Sequence, residues 1–274
     1  MRARIEKRLE KTLRRAAHRE QGLVRRVEQA RRGGAGIRRA LLHVASDGGA
    51  GPFDRGGAAR MLREAGDGAG VDRIVADFLE RTERDEVYEL ALAIETAGGR
   101  RPVVPLLGAL QGPSVAHRRG AARAFGWIQP HPGDRAVEAL CALVNDPRED
   151  PGVREEAAES LSYAGSGRAI PALTAALSDT DPRIRFWAVF ALGGVGSRLG
   201  RADPLVTAAL ESMVNDEAAV AGFWTVGQEA LGVLGLDGGR WRERLQGAIN
   251  RVKRDRDALP EDRSWAEFYD SEVR

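Results

Sequence analysis

Apolar and polar positions along this chain repeat in one pattern every 33 or 34 residues: RPVVPLLGAL from Arg101, RAVEALCALV from Arg135, RAIPALTAAL from Arg168 and RADPLVTAAL from Arg201. A second apolar pattern follows each copy, anchored at Phe125, Leu161, Leu192 and Leu231. A fixed period of this length is the signature of stacked supersecondary units. Here the unit is an antiparallel helix pair and the predicted fold is an all-α solenoid. Pro105, Pro171 and Pro204 fall early in the first helices, where a missing N–H costs little. Gly98, Gly165, Gly196 and Gly235 are expected to end the second helices in left-handed caps.

The flanks carry weaker periodicity. Residues 1–31 predict a long basic helix with Ile5, Leu9, Leu13, Ala16, Leu23 and Val27 on one face. A short helix over 37–45, a loop over 47–57 and a capping helix over Ala58–Ala65 follow. Helices over 71–80 and 86–97 make a degenerate first repeat, in which Val75 and Leu79 stand for Leu106 and Leu110. Arg240–Arg256 predicts a covering helix bearing Trp241, Leu245, Ile249 and Val252, ahead of an acidic tail with Trp265, Phe268 and Tyr269. The expected organisation is therefore a basic helical arm (1–46), a solenoid (57–239) and a capping helix with tail (240–274).

The segment RAIPALTAALSDTDPRIRFWAVFALGGVG (168–196) resembles the HEAT repeat family, in particular its short bacterial branch named after phycobilin lyases. It has the first helix, an Asp-Pro turn at Asp181-Pro182, a second-helix arginine at Arg185 and a terminal Leu-Gly-x-x-Gly. Residues 135–165 match with Arg154 in the arginine place, and 101–128 through Arg118. The resemblance implies that Arg118, Arg154 and Arg185 form structural ion pairs with the turn aspartates Asp146, Asp150 and Asp181.

Charge adds one fact. Residues 1–41 hold 14 Lys/Arg against 4 acidic residues, while the whole chain is only +2, so basic character is concentrated in the arm. Arginine outnumbers lysine 39 to 3, which fits a GC-rich bacterial genome better than phosphate recognition. The start of the chain is charged throughout and no apolar run approaches a membrane span, so a cytoplasmic protein with no membrane partner is expected. Cys141 is the single cysteine, excluding an intrachain disulfide and a multi-thiolate zinc site. The four histidines are scattered and none lies in a His-Glu dipeptide, so no metal, cofactor or catalytic group is expected.

Second-helix positions left over from the core read Arg119, Gly120, Arg123; then Glu155, Glu156, Glu159; then Phe186, Trp187, Phe190. Phe223 and Trp224 begin the matching stretch of the next repeat. Large contiguous apolar surface on a monomer marks an interaction site. The expected partner-binding surface is thus Phe186, Trp187 and Phe190, flanked by Glu155, Glu156, Glu159, Phe223 and Trp224. The competing expectation is that the 211–222 turn or the Trp241 helix covers this cluster. Two functions follow: a non-catalytic scaffold or adaptor binding a protein on its second-helix face, or a DNA-binding or repair protein similar to the HEAT-like alkylpurine glycosylases, with nucleic acid also reachable through the basic arm. The glutamates at 155, 156 and 159 repel phosphate and favour the first.

Overall fold

The computed structural model describes residues 7, 9–13, 21–34, 36–164, 166–199, 204–221, 224–235, 241–255, 258–260, 262–263 and 266–267. Its contacts group into two units, Met1–Ala139 and Leu140–Arg274.

In the first unit, helices α1 (Gln21–Arg32), α2 (Ile37–Ser46), α3 (Pro52–Glu64), α4 (Ala69–Glu80), α5 (Arg84–Ala97), α6 (Val103–Leu110) and α7 (Val115–Trp127) follow one another, and the division falls inside α8 (Asp134–Val144). The second helices stack side by side, α3 on α5 and α5 on α7. Leu41, Leu62, Ile74, Phe78, Ile94, Leu106 and Phe125 are buried between the layers. Each such side chain contributes roughly 1.5–3 kcal/mol by leaving water.

The second unit repeats the arrangement with α9 (Pro151–Ala164), α10 (Ile170–Ala176), α11 (Pro182–Leu199), α12 (Pro204–Glu211), α13 (Val226–Leu234) and α14 (Trp241–Arg254). Here α9 stacks on α11 and α11 on α13. An antiparallel hairpin of β1 (Ala219–Ala221) and β2 (Trp224–Thr225) lies within the long last turn. Thr225 then starts α13 through a capping box: its hydroxyl accepts from Gln228 N at 3.2 Å, and Gln228 Oε1 accepts from Thr225 N at 3.0 Å.

Most predicted helices are present, and three details differ. The 47–57 segment is not all loop, because Pro52 opens α3 and Gly56 and Gly57 lie inside it. Gly56 is required there by close approach: a Cβ would stand 2.5 Å from the Ala93 carbonyl oxygen of α5. Thus the expected short helix and the expected capping helix, α2 and α3, pack against each other as a pair. Gly196 does not end its helix, since α11 continues to Leu199, whereas Gly98 (φ 61°) and Gly235 (φ 68°) do terminate α5 and α13. Finally, Val75 is buried as expected, but Leu79 is half exposed at 48% and Phe78 takes the inner place instead.

At the flanks, Leu9, Leu13, Leu23 and Val27 are buried, as are Leu245, Ala248 and Ile249 of α14. The expectations for Ile5, Ala16, Gly165, Phe223, Trp265, Phe268, Tyr269 and the Trp241 side chain lie outside the described residues.

Candidate functional site

The second helices align by register. Seven residues before the buried anchors Leu62, Phe125, Leu161 and Leu192 stand Arg55, Arg118, Arg154 and Arg185. Each reaches a carbonyl at or just beyond the end of its own first helix, where backbone oxygens lack intrahelical donors. Arg55 Nε donates to Ala45 O at 3.0 Å, Arg118 Nη1 to Gly112 O at 2.9 Å, Arg154 Nε to Val144 O at 2.9 Å, and Arg185 Nη1 to Asp179 O at 2.9 Å. Three also take an aspartate from the next repeat: Arg55 with Asp77, Arg154 with Asp179, and Arg185 with Asp216.

These partners correct the expected ones. Asp181 accepts from Arg183, Asp146 from Arg148, and Asp150 from the first backbone amides of α9. An aspartate just ahead of a helix or turn satisfies local N–H groups before it can reach a distant arginine. The arginine hydrogen bonds hold the Asp216 carboxyl below the usual carboxylate range.

The aromatic set is not the exposed patch expected. Phe186 is fully buried, Trp187 is 6% exposed and Trp224 4%, and Glu156 and Glu159 are also buried. The reason is that α11 carries apolar residues on every side, Val189 included, and a helix hydrophobic all round is an interior helix. The rings pack edge to face, Phe186 on Trp187 and Trp187 on Phe190 with centroids 5.4 Å apart, and Tyr163 on Phe190 at 6.3 Å. Only Phe190 and Glu155 of the described set keep substantial exposure, and Glu155 is ion-paired to Arg183 at 3.4 Å.

Beside Phe190 the second unit has a cleft of about 270 Å³, lined by Phe190, Gly193 and Ser197 of α11, Ser162 of α9, and Glu229 and Val233 of α13. Trp224 occupies the register place of the arginines, and its Nε1 donates to Glu229 Oε2 at 2.9 Å. Burial pushes the Glu229 carboxyl up to about 7, with the indole bond opposing the rise. Sequence reasoning missed this glutamate. The available signal was its register, two residues before Leu231, which matches Glu159 and Phe190 in the preceding repeats.

In the first unit the second-helix face holds a mixed surface. Arg84, Asp85, Tyr88, Glu89, Ala116 and Arg119 line a cleft of about 480 Å³, and the Arg119 guanidinium lies 5.8 Å from the Tyr88 ring centroid. Farther along, Arg123 pairs with Glu95 at 3.3 Å and lies 5.0 Å from the Trp127 ring centroid.

Two matches of the family model described as HEAT repeats cover residues 71–162 and 148–226. The chain belongs to the HEAT repeat family. Among solved structures this HEAT protein is similar to the complex of CpcE and CpcF of phycocyanin lyase from Nostoc sp. PCC7120, with 18% identity over 85% of this chain and 94% of that one, TM-score 0.47. It is also similar to an engineered protein, with 21% identity over 86% of this chain and TM-score 0.43; the alignment spans 63% of that protein. Computationally designed armadillo repeat proteins for modular peptide recognition share 17% identity over 78% of this chain and 97% of theirs, TM-score 0.40. No curated protein matches the chain.

The remaining candidate chemistry has structural partners. His117 Nε2 lies 2.8 Å from Phe78 O, and His131 Nδ1 accepts from Gly133 N at 3.0 Å. His18 lies outside the described residues. Cys141 is half-buried in α8. No group able to hold a metal ion occurs among the described residues. No described helix is long and apolar enough to cross a membrane.

Proposed function

We propose that this HEAT repeat chain is a non-catalytic scaffold that binds a partner protein through its second-helix face. The observation carrying this reading is the mosaic on α5 and α7, where cations, carboxylates and aromatic rings interleave: Arg84, Asp85, Tyr88, Glu89 and Arg119 at one cleft, then Glu95, Arg123 and Trp127. A surface that tracks a nucleic-acid backbone instead presents a run of positive charge. Arginine and tyrosine are residues on which interface energy concentrates. Family membership supports the scaffold reading, and the burial of Phe186 and Trp187 moves its centre from α11 to α5 and α7.

The test is affinity capture with the full chain, comparing wild type with Tyr88→Ala and Arg119→Glu. A specific protein recovered by wild type and lost with both variants, at unchanged melting temperature, supports the scaffold. Tight binding of duplex DNA that falls steeply with salt and weakens in Arg119→Glu replaces it with the nucleic-acid reading.

A further inference from the structure

The cleft beside Phe190 combines two properties that rarely occur together. Its walls are small or apolar, and it ends on a carboxyl that is 94% buried by residue, since Glu229 is only 6% exposed. The indole of Trp224 occupies Oε2, and no other hydrogen bond reaches this carboxyl among the described residues. No cation lines the cleft among the described residues. Buried acidic groups are normally paired, because isolated burial of the ionised form is costly.

We propose that this cleft receives one lysine side chain of a partner protein, its ammonium group bonding Glu229 Oε1 and its methylene stem lying along Phe190, Gly193 and Val233. The proposal deepens the scaffold reading and rests on it for the source of the lysine. Three features select this occupant. An ammonium would stabilise the ionised form of the carboxyl, which burial alone disfavours. Oε1 is the oxygen to which no described donor is bonded, and a compact ammonium engages a single oxygen without the two-oxygen approach that a guanidinium fork prefers. The volume, about 270 Å³, admits a single side chain and not a drug-sized ligand. The Ser197 hydroxyl, which donates to the Gly193 carbonyl at 2.9 Å, lines the exposed side of the cleft.

Among the described side chains, Glu229 is the one ionisable group that lines the cleft, and Glu159, buried on α9, is not part of its lining. On α11, Arg183 and Arg185 are engaged by Glu155, Asp181 and Asp216, at the opposite end of that helix from Gly193. Glu211 of α12 and Glu243, Arg251, Lys253 and Arg254 of α14 are solvent-exposed and do not line the cleft. The β2 strand carries no ionisable side chain.

The experiment uses the full 274-residue chain and follows the Trp224 indole N–H by nuclear magnetic resonance, assigned by its loss in Trp224→Phe. The probe is the capped peptide acetyl-Ala-Lys-Ala-amide. Expected results are a saturable indole shift at millimolar peptide and a fall of about one unit or more in the indole's pH midpoint. The Nε-acetylated peptide leaves the signal unmoved, and affinity falls at least about tenfold in Glu229→Gln. Ser197→Phe, which narrows the mouth and leaves the carboxyl intact, blocks the peptide shift but not the pH titration. Three results overturn the proposal: no indole response, equal response to acetylated peptide, or unchanged affinity in Glu229→Gln. Capture through Tyr88 and Arg119 reads the scaffold separately, so failure of the lysine site and failure of the scaffold are told apart.

Discussion

Arg185 holds Asp216 through two parallel hydrogen bonds, Nε to Oδ2 at 2.7 Å and Nη2 to Oδ1 at 3.2 Å, across 31 residues of sequence. The same guanidinium donates to the carbonyls of Asp179 and Thr180, so one side chain closes its own turn and grips the next repeat. Replacing it with leucine removes both functions and strands a largely buried carboxylate. Arg185→Leu is expected to cost ~2–4 kcal/mol in urea denaturation at pH 7.

That pair also sets an acid response. The folded Asp216 carboxyl titrates below its ordinary value of 3.8 because Arg185 hydrogen-bonds the charged form. Its contribution is complete above that ordinary value and is lost as pH falls through the lower folded value. Wild type should therefore lose stability between pH 5 and pH 3 more steeply than Arg185→Leu, as read from urea midpoints at both pH values.

Glu229 acts in the opposite sense. Its folded value is raised from 4.5 to about 7, so the native state holds a proton that the unfolded chain has already released. Stability falls as pH rises from about 4.5 through about 7 and is then level, a loss of up to ~3 kcal/mol. Glu229→Gln abolishes this decline, so the variant should gain on wild type between pH 5 and pH 8. Equal midpoints for the two proteins at pH 8 would show that the carboxyl is solvated.

Trp187 now belongs to the interior. Truncation to alanine removes a ring packed against Phe186 and Phe190 and leaves a cavity, at an expected cost of ~3–5 kcal/mol. A Trp187→Ala protein with unchanged melting temperature would restore the surface assignment that burial contradicts.

Deleting residues 1–46 removes α2, and with it the Ala45 carbonyl that Arg55 bonds and the buried Leu41 and Val44. The remaining chain should melt several degrees lower, whereas deleting only residues 1–36 spares that pair. Differential scanning calorimetry of the two truncations separates an accessory arm from a first repeat.

The helix pairs were legible because proline, glycine and the buried anchors Phe125, Leu161 and Leu192 recur at one period. A helix is expected in the place of both α2 and α3, but the early start of α3 at Pro52 escapes because its loop-like composition, glycine at 56 and 57 included, reflects close helix packing rather than a break. Arg55 was missed with it. The arginines were recognised as structural, but their aspartates were assigned too locally, since sequence proximity favours the cap a residue makes over the repeat it reaches. Exposure of the aromatics was misjudged because a single-face pattern was applied to α11, which has no polar face. Glu229 was hidden in an apolar helix whose donor lies on a strand that periodicity did not foresee.

Trp224 gives the arginine row a direction and an end. Arg55, Arg154 and Arg185 each extend a cation toward the aspartate that follows, while Trp224 on β2 turns a neutral indole onto Glu229 of the adjoining α13. The last register place therefore has nothing to hand onward. A tryptophan-to-arginine exchange at this place would supply the kind of donor that Arg154 and Arg185 extend to the repeat after them.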